Sequence, residues 1–219
     1  MSRRARIFFG FGVVLLAVLY NVIMYPPAWL VGRLTLRSTV KITSAAGGFS
    51  LDVPTRWKGN SPGLSHFPAA LVRPKISAGK EYLNTGDSSF HETKPLRGGI
   101  NSRRSSGFYA RMSVYMETLP VGDVPFAREL ADVQAESLVA GLGAAREGKA
   151  RTEVQRLKGY PWGKTTVTTQ RVEEAIVCWQ TVDDNSNHYT IVFSTNAYSS
   201  FKPVFDKIMK SFTSHPPVI

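Results

Sequence analysis

Two adjacent carboxylate pairs, Glu173-Glu174 and Asp183-Asp184, are the residues of this chain best suited by type to acid–base work. General acid–base catalysis needs both groups to face one substrate. Neighbours in a strand point to opposite faces, and neighbours in a turn become two solvated charges. Asp183 opens the polar run Asp183-Asp184-Asn185-Ser186-Asn187, which reads as a turn. Histidines stand at 66, 91, 188 and 215. None has a second His, Cys or carboxylate at a recurrent metal spacing, so each is expected at the surface or in a turn and no metal is expected.

The single cysteine, Cys178, lies in the apolar run AIVCWQTV. It reads as a small core residue of a buried strand, and one cysteine excludes an internal disulfide framework. Residues 143–150 (GAAREGKA) nearly spell a phosphate-binding loop, but Ala150 replaces the hydroxyl that would hold magnesium, and the segment ends a helix instead of opening one. No serine stands in a G-x-S-x-G elbow. Trp57, Tyr160 and Trp162 lie near Lys58 and Lys164 and could stack on a ligand, although core or hairpin packing accounts for them more simply. The chain therefore reads as non-catalytic, with no cofactor.

What remains is charge. The chain carries a formal +11 with a pI near 10.0. Lys94, Arg97, Arg103, Arg104 and Arg111 follow one another with no acid among them, inside a Gly- and Ser-rich stretch. Such a run is either a solvated loop or a surface that docks on an acidic protein face or anionic lipid. Basicity alone would suggest nucleic acid. The N-terminus redirects that inference towards a membrane.

Residues 1–6 carry Arg3, Arg4 and Arg6, and residues 7–24 carry no charge at all. About 18 to 20 apolar helical residues cross a bilayer core, so this segment is expected to span a membrane, with the cationic end inside. A cleaved signal peptide would need a small-residue site after the apolar run. Tyr25, Pro26, Pro27, Ala28 and Trp29 follow instead, so the span is expected to stay attached as a single-pass anchor. Phe8, Phe9, Phe11, Tyr20, Tyr25 and Trp29 are its aromatic contacts with the membrane and its interface. The chain divides on this reading into a basic terminus (1–6), an anchor with an interfacial segment (7–31), and an extracytoplasmic, periplasmic domain (34–219) with a basic irregular insertion near 72–107.

Period-two alternation over 34–43 and again over 49–53, across Ala45-Ala46-Gly47-Gly48, predicts a hairpin at the start of the domain. Residues 54–100 are rich in Pro and Gly and predict little continuous regular structure, with a short strand near 69–72. Residues 107–118 predict a strand with Phe108, Ala110, Met112, Val114 and Met116 on its core face. A helix follows, N-capped by Asp123 and carrying Phe126, Leu130, Val133, Leu138 and Leu142 as its stripe. Strands are predicted at 152–157, 164–170, 174–182 and 188–194. A last helix, capped by Ser199 or Ser200 with Pro203 in its first turn, carries Phe201, Phe205, Ile208 and Phe212.

The run Gly48-Phe49-Ser50-Leu51-Asp52-Val53-Pro54 with Trp57, the turn Leu157-Lys158-Gly159-Tyr160-Pro161, the strand over 189–193 and the terminal Ser211-Phe212 occur in that order. Together they resemble the PsbP-like superfamily over about 39–212. The resemblance implies an α+β fold, an antiparallel sheet with helices on both faces, used as a docking or assembly module on membrane complexes. The expected function is a non-catalytic accessory subunit of an integral membrane protein complex, with a bacterial photosynthetic complex suggested by the family. The alternative is an envelope ligand-binding or maintenance protein acting alone.

Overall fold

The computed structural model describes residues 3–24, 27–59, 79–91, 106–120, 125–142, 148–169 and 173–216. The chain begins with α1 (Arg3–Met24) and α2 (Ala28–Thr35). The expected hairpin follows as β1 (Thr39–Ser44) and β2 (Phe49–Pro54), paired antiparallel. Leu34 and Thr35, expected to open its first strand, instead close α2. A two-residue strand, β10 (Thr213–Ser214), joins β2 and completes a three-stranded sheet in the order β1-β2-β10.

The main sheet is antiparallel and has seven strands: β3 (Lys58–Gly59), β4 (Lys80–His91), β5 (Ser106–Thr118), β6 (Gly148–Leu157), β7 (Tyr160–Thr169), β8 (Ala175–Val182) and β9 (Asn187–Thr195). Their spatial order is β3-β4-β5-β9-β8-β7-β6. Helix α3 (Ala127–Leu142) lies between β5 and β6 in sequence, and α4 (Tyr198–Ser211) follows β9. The fold is thus mixed α+β with two antiparallel sheets.

One correction is large. The stretch expected to be irregular contains the 12-residue β4, paired with β5 along nearly its whole length. Its sequence, KEYLNTGDSSFH, has few apolar residues to show a period. Gly86 marks where the two backbones approach: a Cβ there would meet the Ala110 carbonyl oxygen at 2.4 Å. The expected strand near 69–72 lies outside the described residues.

The turns follow the local chemistry. Between β6 and β7, Lys158 (φ 50°) and Gly159 (φ 90°) take the left-handed conformations of a two-residue hairpin. Between β8 and β9, the Asp183 carboxylate accepts the backbone N–H of Asn185 and of Asn187, each at 2.9 Å, and the Asn187 amide at 3.2 Å. Asp183 is consequently buried, and the expectation of two solvated charges holds only for Asp184.

The two faces of the main sheet are packed differently. On one face Met112, Val114, Val177, Trp179, Ile191 and Phe193 meet Phe201, Val204, Phe205 and Ile208 of α4 in a single cluster. The Phe193 and Phe205 rings stack at 4.5 Å. Phe212, just past α4, touches the rings of Trp162 at 5.0 Å, Tyr189 at 5.2 Å and Phe49 at 6.0 Å, so one side chain joins both sheets. The N-terminus of α4 is set by Ala197, with no side-chain cap, and Pro203 sits in its second turn.

On the other face α3 lies against β6, β7 and β8. A Cβ at Gly163 would come within 2.0 Å of the Ala127 carbonyl oxygen, and Thr165 donates its hydroxyl to the Ala131 carbonyl at 2.7 Å. So close an approach admits only a small side chain at Ala131, and the inward stripe of α3 continues through Gln134 to Leu138, a member of the expected stripe that is buried. The expected stripe is corrected accordingly: Phe126 is 76% and Val133 68% exposed. Asp123, its expected cap, lies outside the described residues.

Candidate functional site

Two places could carry function: the helix pair at the N-terminus and a polar strip on the α3 side of the sheet. The pair begins with α1, whose side chains from Phe11 to Ile23 are nearly all apolar and exposed; Phe11 and Ile23 are each 74% exposed. A helix that is apolar all round needs an apolar solvent or partner. Among the described residues no single helix is long and apolar enough to cross a membrane; Phe11–Ile23 and Ala28–Thr35, bent by 57°, pass together on length and composition.

The second helix is where expectation and structure part. One side of the segment read as interfacial packs into the domain core. Val31 is fully buried in the cluster around α4, with Ala28 and Leu36 packed against it. Gly32 lets the backbones of α2 and α4 touch, since a Cβ there would meet the Ser200 carbonyl oxygen at 2.4 Å. Thr35 satisfies its buried hydroxyl on the Val31 carbonyl at 2.7 Å, and the Lys207 ammonium donates to the Leu36 carbonyl at 2.6 Å. A cation at that point meets the partial negative charge of the helix C-terminus. Trp29 points outward and is 57% exposed, as do the guanidinium-bearing Arg33 and the nearby Arg37.

The polar strip runs across β4, β5, β9 and β8. Glu117 faces His188 across the β5–β9 pair, and Gln180 faces Thr190 across β8–β9. His188 Nδ1 lies 2.8 Å from Glu117 Oε1, and its Nε2 lies 3.4 Å from Gln180 Nε2 and 3.5 Å from Thr190 Oγ1. This suits the tautomer with the proton on Nδ1, donating to the carboxylate and accepting from the Gln180 amide. Further along, Tyr115 donates to Glu81 at 3.4 Å and Arg111 Nε donates to Asn84 Oδ1 at 2.9 Å. Burial raises the Tyr115 hydroxyl above its ordinary range.

His188 was expected at a surface or turn and instead sits buried in β9. The order Thr190, His188, Glu117 has the sequence of roles found in a nucleophile–base–carboxylate triad. Thr190 is only 1% exposed, however, so no substrate carbonyl can approach its oxygen. The strip's signals in the sequence were the alternating polar residues of β9 (His188, Thr190) and the non-core face of β5, where Arg111, Ser113 and Tyr115 alternate with its apolar residues. Two polar atoms on α3 and β8, Gln134 Nε2 and Gln180 Oε1, are buried without a hydrogen-bond partner among the described residues.

Other candidates have structural roles. Lys164 is buried, pairs with Glu153 at 2.7 Å and lies 4.8 Å over the Trp179 ring. Its hydrogen bond is the main reason the Glu153 carboxyl is held below its usual range. Trp57 and Trp162 are core residues, as the packing reading expected. Cys178 is buried among Leu138, Val167, Ile176 and Val192, and burial pushes its thiol far up. Among the described residues no three His, Cys, Asp or Glu side chains converge as a metal site requires.

Of the basic residues singled out in sequence, Lys94, Arg97, Arg103 and Arg104 lie outside the described residues. Arg111 lies in β5 with its guanidinium on Asn84, in the polar strip and not in a loop. Of the anchor aromatics, Phe11, Tyr20 and Trp29 are exposed. Phe8 and Phe9 fall within α1, but their side chains, like all of Tyr25, lie outside the described residues.

No family model matches the chain, and no curated protein matches it. Among solved structures, LpqN of Mycobacterium tuberculosis, described as involved in cell envelope biogenesis, is 12% identical with a TM-score of 0.44, covering 82% of this chain and 91% of LpqN. PA94 of Pseudomonas aeruginosa, a protein of unknown function described as a putative regulator, is 13% identical with a TM-score of 0.36, covering 81% of this chain and 98% of PA94. Both are loose structural relatives. The PsbP-like superfamily has no counterpart in these matches.

Proposed function

We propose that the chain is a membrane-tethered, non-catalytic domain that braces a larger integral membrane assembly on the extracytoplasmic side. The observation that carries the reading is the continuity of α1, α2 and α4: an exposed apolar helix leads within a few residues into one whose inner face is domain core. A tether of this kind fixes the attitude of the domain to the bilayer, which suits bracing better than capture of a diffusing ligand. Single-pass topology with the N-terminus in the cytoplasm follows from Arg3, Arg4 and Arg6 by the positive-inside rule. The PsbP-like resemblance is what makes a bacterial photosynthetic complex one candidate partner.

A second reading, an envelope ligand-binding protein acting alone, is favoured by the orphaned buried amide atoms of Gln134 and Gln180. Unpaired buried polar atoms are costly and invite a ligand or water. Extraction from its native membrane in mild detergent, followed by sizing of the tagged full chain, separates the two. The bracing reading expects one large complex, and a species of monomer size in a micelle would refute it in favour of the second.

A further inference from the structure

We infer that the outer surface of α2, with the C-terminal half of α4, is a docking face for anionic phospholipid headgroups. The inference rests on the tethered reading and adds a partner chemistry that this surface fits. Helix α2 has 8 residues and spans about 12 Å at 1.5 Å per residue. Bent 57° from α1, it climbs only about 7 Å along the α1 axis. Over α2 itself, Arg33 therefore gains less height than one Debye length, ~8 to 10 Å.

Basic side chains gather on this face. Lys207 reaches the Leu36 carbonyl at 2.6 Å, which places the outer side of α4 beside the end of α2. Lys210 is one turn further along the same helix and exposed. The acid of this stretch, Asp206, is already held by Lys202 at 2.6 Å. Arg33, Arg37 and Lys210 have no ion-pair partner among the described residues. Trp29, exposed on the same short helix, is the residue type that settles at the headgroup level. Lys207 serves two ends, because its carbonyl contact orients an ammonium that remains exposed to solvent.

Each cation close to an anionic bilayer biases docking by about fivefold, so removing three shifts the balance about a hundredfold towards the undocked domain. The test uses the full chain in nanodiscs, with Val40→Cys on exposed β1 carrying a fluorophore while Cys178 stays buried and unlabelled. A nitroxide on the headgroup of a trace phosphatidylcholine is the quencher. In discs containing about 30% phosphatidylglycerol, quenching should rise at least about twofold over phosphatidylcholine alone. The rise should vanish in about 0.5 M NaCl, where the Debye length is ~4 Å. It should also vanish in Arg33→Gln/Arg37→Gln/Lys210→Gln, and persist in the charge-matched Arg128→Gln/Lys149→Gln/Arg151→Gln on α3 and β6. Equal quenching in both discs, or an equal loss in both triple variants, overturns the inference while the protein remains in the disc. Failure to enter discs at all overturns the tethered reading as well.

Discussion

The two faces of the main sheet solve the same packing problem with different residues. Under α4 the interior is large and aromatic, and Phe193, Phe201, Phe205 and Phe212 hold sheet, helix and hairpin together. Under α3 the interior is thin, because Gly163 and Ala131 bring helix and sheet backbones together, and beyond α3 the same face becomes a row of hydrogen-bonding side chains. The difference teaches where stability and specialised chemistry are kept. The aromatic face also receives α2, the helix that follows the exposed apolar helix α1.

The largest effect should come from the aromatic face. Phe212→Ala removes a ring shared by Trp162, Tyr189 and Phe49 and is expected to destabilise the domain by about 3 to 5 kcal/mol. Denaturant unfolding of the full chain in detergent measures it, and a change below about 1 kcal/mol would break the contrast between the faces.

Gly163→Ala comes next. The added Cβ would collide with the Ala127 carbonyl, so α3 must lift, at about 1 to 3 kcal/mol. Hydrogen exchange should show the loss of protection concentrated in α3 and β7, with α4 unchanged. Equal loss in both helices would mean that the faces do not act separately.

The acid response sharpens the comparison through the Lys164–Glu153 pair. The folded Glu153 carboxyl lies below its ordinary 4.5. Its contribution is therefore fully present above that value and is lost as pH falls through the folded value. Melting temperature should drop on acidification below about pH 4.5, and this component should be absent in Glu153→Gln. Identical acid profiles would assign the drop to other carboxylates.

The smallest effect is expected at Gln134. Its amide nitrogen is buried without a partner, so Gln134→Leu should change stability by less than about 1 kcal/mol in either direction. A loss of several kcal/mol by the same unfolding measurement would reveal a bond that the buried amide makes to water or ligand.

Legibility in the sequence followed the same division. The aromatic face could be read directly: the alternation of β5 and the spacing of Phe201, Phe205 and Ile208 each pointed to the side that packs. The thin face could be read only in part. Where a glycine and an alanine seat the helix no bulky side chain marks the contact, so Phe126 and Val133 looked like core and Ala131 like a spacer, while Leu138 was rightly placed in the stripe. Strand β4 was hidden because its pairing is a backbone property and its side chains are polar. The burial of His188 and Asp183 depends on cross-strand register and turn donors, neither of which adjacency in sequence reveals. The packing of α2 on α4 was not read because its contact runs through Gly32, which has no side chain, and through Ala28 and Val31, whose apolar side chains also fit the apolar anchor reading.

The central claim is that α2, seated in the core, holds the apolar helix and the domain at one fixed attitude. Spin labels at Ile23→Cys on α1 and Val133→Cys on α3 both occupy exposed positions, and buried Cys178 stays unlabelled. Double electron–electron resonance on the full chain in nanodiscs reads the distance between them. A single narrow distribution is the predicted result, as for two points on one rigid body. A broad distribution, unchanged when Gly32→Ala displaces α2 from α4, would contradict the claim.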